Sequence, residues 1–377
     1  MQTNYWLVVL VTALLPVFGG CGDSGPDASP DNAVTLANLN VLHGFDCDSA
    51  QLDTGQCRVQ ERIALLAQHL VAAGCPDLVT LQEVINAAIA PTELAQPVIS
   101  ILDLVRTELP GLAAACGFTY ELLYRPLLAV TLAEVDEELI LSRYPILLSG
   151  TRTLYGPLYN EAAGVLVFAR HVLHARVDHP TGEIDVYTTH LASGADLARS
   201  PCGDRFCPPE CDSADTVRAC QAVQLAHYVE ATRLPGNLAL ISGDFNAAPG
   251  STEYRTALDR GWIDTHLAAG QPECDAVSGV ACTSGRESSI GQIEDPALNV
   301  QRRIDYIFAA LPRNEGNCTV AAAGAATRRG VYTVDSAGLF ADRPNPFSAD
   351  CGPSPAPPCW VSDHSGNRAT LACERGE

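Results

Sequence analysis

Leu238 to Ser251 reads L-A-L-I-S-G-D-F-N-A-A-P-G-S. The uncharged apolar run Leu238 to Ile241 predicts a short buried strand, and Ser242-Gly243 halts it just before Asp244 and Asn246. A carboxylate and an amide therefore stand at a strand's end. The strand holds them still while they reach outward, which is what a hydrolytic metal site needs. A plain polar loop closing a strand has the same composition, so the neighbouring stretches must decide.

Upstream, Asp215 to Arg233 has helical periodicity through Val217, Val223, Leu225 and Val229 and stops before Pro235-Gly236. Val59 to Ala73 repeats the pattern with Ile63, Leu66 and Leu70, closed by Gly74 and Pro76, and Pro91 to Leu109 reads as a further helix. Strands are expected at Val34 to Leu42, Asp77 to Val84, Phe118 to Leu123, Glu138 to Leu141, Gly164 to Phe168, Ile184 to Thr189 and Arg303 to Phe308. Strands alternating with helices predict an α/β fold. No G-x-G-x-x-G or G-x-x-x-x-G-K-S/T stretch follows the first strand, which argues against a dinucleotide or P-loop fold. No internal repeat is present.

Composition narrows the function further. The chain has 377 residues, 47% of them apolar, enough for a sizeable core. Its 23 basic residues face 44 acidic ones, for a formal charge of −21, and no basic cluster is longer than Arg302-Arg303 or Arg328-Arg329. Broad electrostatic capture of nucleic acid is not expected. A nuclease is not excluded, because a bound divalent cation supplies local positive charge.

Leu7 to Phe18 has the length of a secretory apolar segment, too short to cross a bilayer as a helix. Phe18-Gly19-Gly20-Cys21 resembles a bacterial lipobox, although no Lys or Arg precedes it. The expectation is a signal peptide over residues 1–20, lipidation at Cys21 with anchoring to a membrane of the cell envelope, and a flexible tether over 21–32. The alternative is an ordinary signal peptide cut nearby; either reading exports the chain. Of 15 cysteines, setting aside Cys21 leaves 14, an even number suited to disulfides in an oxidising compartment. Cys47 with Cys57, Cys274 with Cys282, and Cys351 with Cys359 are short-range candidates. Cys202, Cys207, Cys211 and Cys220 crowd one segment at a spacing that fits disulfides better than zinc.

Strand ends and loops carry one chemical type of residue: Asn40, Glu83, His190, Asp244 with Asn246, Asp305, and Asp363 with His364. Singly, each has a bland reading: a turn cap for Asn40, a rim position for Glu83, a core histidine at 190, a partner of Arg303 for Asp305, a loop cap for Asp363. Together they are oxygen donors for a hard cation plus two imidazoles, a set suited to attack of water on phosphorus.

Here the sequence resembles the endonuclease/exonuclease/phosphatase superfamily of deoxyribonuclease I-like proteins. The matching stretches are N-V-L-H-G at 40–44, P-D-L-V-T-L-Q-E-V at 76–84, L-S-R-Y-P-I at 141–146, T-H-L at 189–191, G-D-F-N at 243–246, R-I-D-Y-I-F at 303–308 and S-D-H-S at 362–365. They occur in family order and need nearly the whole chain, so one catalytic domain over residues 33–377 is expected. The resemblance implies a four-layered α/β sandwich: two mixed sheets packed face to face, helices outside, and a site where strand ends of both sheets meet. It implies one Mg²⁺ or Mn²⁺ held by Glu83, with Asn40 and Asp363 completing or orienting the shell. It also implies His364 as general base oriented by Asp305, Asp244 and Asn246 positioning the nucleophile, and His190 donating to the developing charge on phosphorus.

Two stretches depart from the family pattern. Asp136 to Ile140 reads D-E-E-L-I, and Asn160 to Gly164 lacks the arginine often found there. The expected activity is metal-dependent hydrolysis of a phosphate ester by a monomer, most simply a phosphodiester. Nucleic acid, nucleotides and phospholipid head groups are the substrate classes left open. A catalytically silent surface binding module is the competing class; it would be marked by loss of an acid, amide or imidazole, and none is lost.

Overall fold

The computed structural model describes residues 32–42, 58–86, 100–125, 137–156, 159–160, 165–166, 170–193, 208–212, 214–286, 293–312, 318–321 and 327–375. The chain opens with strand β1 (Ala33–Asn40), helix α1 (Val59–Ala72), β2 (Leu78–Gln82), helix α2 (Ile101–Cys116), β3 (Glu121–Tyr124) and β4 (Leu139–Ser142). Next come β5 (Ile146–Thr153), β6 (Tyr159–Asn160), β7 (Val165–Leu166), β8 (His171–His179) and β9 (Gly182–His190). Helix α3 (Val217–Thr232), β10 (Leu238–Asp244), α4 (Thr252–Asp259), β11 (Ile263–Asp264) and α5 (Thr265–Ala268) follow. The last strands are β12 (Asp305–Ala310), β13 (Cys318–Ala321), β14 (Thr327–Phe340) and β15 (Gly366–Arg375).

Two mixed sheets result, one in the order β13-β14-β15-β1-β2-β4-β3 and the other β11-β12-β10-β9-β8-β5, with β6 and β7 as a separate pair. Strand alternation assigns every residue to a layer. In β1, Ala37 and Leu39 pack with Ile63, Leu66 and Leu70 of α1 and Ile101 and Val105 of α2. On the other face, Val34 and Leu36 join Leu78, Ile140, Val186, Leu238, Leu240 and Ile307 between the sheets. Ala239, Ile241 and Phe308 pack against Leu225, Ala226 and Val229 of α3. Helix, sheet, sheet, helix: the fold is the expected α/β sandwich.

The inter-sheet face changes character toward one end. Past Leu36 and Leu78 the inward positions become Asn38, Thr80 and Gln82; past Val186 and Leu240 they become Thr188 and Ser242, and all five are buried. Their polar groups are joined to one another. Gln82 Nε2 donates to Asn38 Oδ1 (2.8 Å) and Thr188 Oγ1 (2.9 Å), Thr80 Oγ1 donates to Asn38 Oδ1 (2.9 Å), and Thr80 and Ser242 hydroxyls lie 2.8 Å apart. Buried polar groups with partners in both sheets tie the two together at a fixed offset.

Boundaries differ from expectation at several places. The second helix starts at Ile101 rather than Pro91, because Ser100 caps it by accepting from Asp103 N–H (3.2 Å), and it runs on to Cys116, where Gly117 turns left-handed at φ 77°. Residues 91–99 lie outside the described part. The strand expected at Arg303 to Phe308 is Asp305–Ala310, and β5, β6, β8, β11, β13, β14 and β15 were not anticipated.

Cys274–Cys282 and Cys351–Cys359 form disulfides as expected, and Cys211 pairs with Cys220. Cys75–Cys116 and Cys318–Cys373 join distant elements, and sequence spacing gave no sign of them. Cys21, Cys47, Cys57, Cys202 and Cys207 lie outside the described residues. Disulfides on this scale fit an oxidising compartment. No helix among the described residues is long and apolar enough to cross a membrane.

At the opposite end of β1, buried Asp77 accepts from Thr35 N–H (3.0 Å), Thr35 Oγ1 (2.8 Å) and Arg143 (3.2 Å), with His179 Nε2 4.0 Å away. Burial works to raise this carboxyl, but His179 and Thr35 outweigh it and hold Asp77 below its ordinary value. A depressed folded-state value stabilises the fold above the unfolded pKa, and the gain is lost as pH falls through the folded one. Asp77→Asn should therefore cost about 1–3 kcal/mol at neutral pH. The gap from the unmutated protein in urea unfolding should close as the pH drops below about 4; a gap independent of pH would contradict this.

Candidate active site

Register brings the functional side chains side by side. In the second sheet Asp244 pairs with His190 of β9 on one side and Asp305 of β12 on the other. In the first sheet Asn40 pairs with Gln82, next to Glu83, while β15 runs antiparallel to β1 and so delivers Asp363-His364 to the same end. The backbone is bent where the strands stop: Leu42, Glu83 and Asn246 all have positive φ, at 57°, 63° and 50°. Non-glycine residues in this region are uncommon and cluster where a site over-determines them.

The contacts form one connected set. Asn40 Nδ2 donates to Glu83 Oε1 (2.8 Å) and Asp244 Oδ2 (3.2 Å), while its Oδ1 accepts from Leu42 N–H (3.0 Å). Asp244 Oδ1 accepts from Asn246 N–H (2.8 Å), and Asp244 Oδ2 lies 3.4 Å from His190 Nε2 and 3.8 Å from His364 Nε2. Asn246 Nδ2 lies 2.9 Å from His190 Nε2 and donates to Leu191 O (2.9 Å). His364 Nδ1 is 2.8 Å from Asp305 Oδ2, and its Nε2 is 4.0 Å from Asp363 Oδ2. All eight residues singled out in the sequence are brought together. Asp305 partners His364; Arg303 instead bonds Asp264 (2.7 Å) and Glu273 (2.6 Å).

A family model described as the Endonuclease/Exonuclease/phosphatase family matches residues 37–364, from just before Asn40 to His364 itself. The chain belongs to this family. Among solved structures, an endonuclease/exonuclease/phosphatase family protein from Bacteroides thetaiotaomicron is similar at 14% identity with a TM-score of 0.54, covering 91% of this chain and 98% of that one. D. rerio TDP2 complexed with a single-strand DNA product is similar at 16% identity and TM-score 0.52 (90% and 98% covered). A mannosyl-6-phosphatase from Bacteroides thetaiotaomicron matches at 15% identity and TM-score 0.52 (90% and 99% covered). At these identities the likeness is one of fold. No curated protein sequence matches. Family membership supports hydrolysis of phosphate esters as the chemistry.

The donor set fits the divalent cation implied for an endonuclease/exonuclease/phosphatase protein. Burial, with the charge of Asp244 close by, pushes the Asp305 carboxyl up to about 6 against the pull of His364. Burial and the charge of Glu83 likewise raise Asp363. Asp305 Oδ1 is buried without a hydrogen-bond partner among the described residues. Four carboxylates crowded away from water suit a bound cation, which lowers the cost of keeping them ionised. One carboxylate oxygen each from Asp244 and Asp305 and a ring nitrogen of His364 lie within 4.8 Å of one another, a cluster alongside the Glu83, Asn40 and Asp363 set.

Supporting residues went unseen in the sequence. Arg62 of α1 is buried and donates to Val41 O (2.8 Å), Leu42 O (3.0 Å) and Val361 O (2.8 Å), pinning the chain after Asn40 to the chain before Asp363. The only sign was a charge between apolar helical positions. Glu138, within the departure D-E-E-L-I, accepts from His190 N–H (3.0 Å) and contacts His171 Nε2 (2.5 Å), so that acid buttresses the site. The stretch 161–164 lies outside the described residues.

Gly243 shows how tightly β9 and β10 approach. It sits at φ +145°, and an added Cβ would lie 1.9 Å from Thr189 O. Gly243→Ala should destabilise the protein by about 3 kcal/mol in chemical unfolding, and unchanged stability would contradict the close approach.

Proposed function

We propose that this family member is an exported, divalent-cation-dependent phosphodiesterase anchored to the cell envelope through Cys21. The observation that carries the catalytic part is the convergence of Asn40, Glu83, His190, Asp244, Asn246, Asp305, Asp363 and His364 through contacts of 4.0 Å or less. The disulfides and the apolar segment Leu7 to Phe18 support export.

When bound, Mg²⁺ or Mn²⁺ would be held by Glu83, with Asn40 and Asp363 completing or orienting the shell, and would supply charge to polarise the phosphoryl oxygen. Asn40 orients Glu83 and Asp244 by donating one N–H to each. Asp305 keeps a proton on His364 Nδ1, leaving Nε2 free to exchange one. Nε2 and Asp244 Oδ2 are 3.8 Å apart, a separation that two hydrogen bonds of about 2.7 Å meeting at one water can span. That water is then poised for attack, with His364 taking its proton and Asp244 fixing its direction. His190 is steadied by Glu138 at its N–H and by Asn246 at Nε2. It stabilises the negative charge growing on the phosphoryl oxygens.

The strongly acidic balance disfavours long polyanions and favours small phosphodiesters or lipid head groups. With Mg²⁺ or Mn²⁺ the purified protein should hydrolyse bis(p-nitrophenyl) phosphate. His364→Ala should lower kcat by about 10²–10⁴, and Glu83→Ala should weaken Mn²⁺ binding in calorimetry. Hydrolysis at full rate in EDTA would overturn this reading.

A further inference from the structure

The His364–Asp305 pair spans the two sheets. Asp305 begins β12 in one, and His364 lies just ahead of β15 in the other. Among the described residues the two sheets share no strand pairing, so no sheet ladder there fixes their separation. Yet a histidine oriented by a carboxylate works only while the two remain in hydrogen-bond reach.

A short segment outside both sheets touches each member. Thr283 Oγ1 accepts from the backbone N–H of Ile304 (3.1 Å) and Asp305 (3.2 Å), while Thr283 O accepts from Ser365 N–H (2.7 Å). Ser284 forms isolated bridges with both Arg302 and His364. Two residues on, buried Arg286 donates from one guanidinium nitrogen to Ser362 O (3.3 Å) and His364 O (3.0 Å), and from the other to Ser365 Oγ (2.9 Å). The guanidinium carbon lies over the Trp360 ring, 3.6 Å from its centroid. The turn between them requires Gly285, since at φ +133° an added Cβ would sit 2.7 Å from Gln301 N. The Cys274–Cys282 disulfide closes the chain directly before Thr283.

We infer that Thr283 to Arg286 is a brace that sets the Asp305–His364 distance, and that Arg286 is the positioning residue for the His364 imidazole. Its planar fork holds the carbonyls on both sides of Asp363 and the hydroxyl after His364, so the His364 backbone cannot move away from Asp305 without breaking a charge-assisted bond. Arg286 acts through the loop and touches no reacting atom. This inference rests on the proposed role of His364.

The test compares the full-length protein with Arg286→Met, which keeps the stem over Trp360 but has no donors, and Arg286→Lys, which keeps the charge without the fork. Two readouts are taken: kcat and KM on bis(p-nitrophenyl) phosphate with Mg²⁺, and the downfield proton resonance of the His364 Nδ1–H bonded to Asp305, assigned by its disappearance in His364→Gln. Arg286→Met should lower kcat about ten- to a hundredfold, leave KM little changed and abolish the resonance, with Arg286→Lys in between. Should Arg286→Met fail to fold, Arg286→Lys decides by the same two readouts. A resonance and kcat equal to those of the unmutated protein in the folded variant would overturn the inference while leaving the hydrolase reading intact. A resonance lost in Arg286→Met from a protein inactive on the ester would uphold the brace and overturn the hydrolase reading instead.

Discussion

Gln82 donates to Asn38 in its own sheet and to Thr188 in the facing one, and the position of the whole site depends on that bridge and its neighbours. Deeper in the sandwich the sheets meet through Leu36, Leu78, Val186 and Leu240, whose packing is non-directional and sets no offset by itself. Hydrogen bonds have direction. Thr80 against Ser242 and Gln82 against Thr188 each fix where one strand lies relative to another across the gap. One step beyond, the same alternation puts His190 and Asp244 on the inward face of one sheet and Asn40 on that of the other. A register slip of one residue in β1 or β10 would turn these groups toward the helices.

Against this directional layer the site stores electrostatic tension. Asp305 and Asp363 are both pushed toward protonation by burial and by neighbouring carboxylates, while their charges raise the His364 imidazole against the effect of burial, a rise that the positive charge of a bound cation would offset so that Nε2 can accept a proton. Loop carbonyls gripped by Arg62 and Arg286 keep the crowded groups from spreading apart. A divalent cation would relieve the crowding without any movement of the strands, which suits preorganised hydrolysis.

Much of this was legible in the sequence. The alternation of strands with helices marked the α/β class, and strand ends that turn abruptly from apolar to polar, as at Ile241 to Asp244 and Leu81 to Glu83, marked site residues, because strand termini at a site must break the hydrophobic pattern. Less visible was whatever depends on contacts far apart in the chain. Arg62 looks like an ordinary helical charge, and its burial is decided by Val361, about three hundred positions away. β14 pairs along its length with β15, but its bulge at Val334/Ser336 and its partly exposed face hide the alternation that marks a strand. The helix starting at Ile101 was placed too early, at Pro91, whereas Ser100 is the cap. Glu138 lies in a stretch that departs from the family pattern, and its use as a support for His190 becomes visible only once β4 and β9 are placed in space.

The central claim is that donors from both sheets close around one hard cation, and a crystal soaked in Mn²⁺ tests it directly through anomalous scattering. The account predicts a peak in contact with Glu83, with Asp363 and the His364–Asp305 pair around it. Absence of any peak there, or manganese bound only at exposed acids such as Asp275, would contradict it.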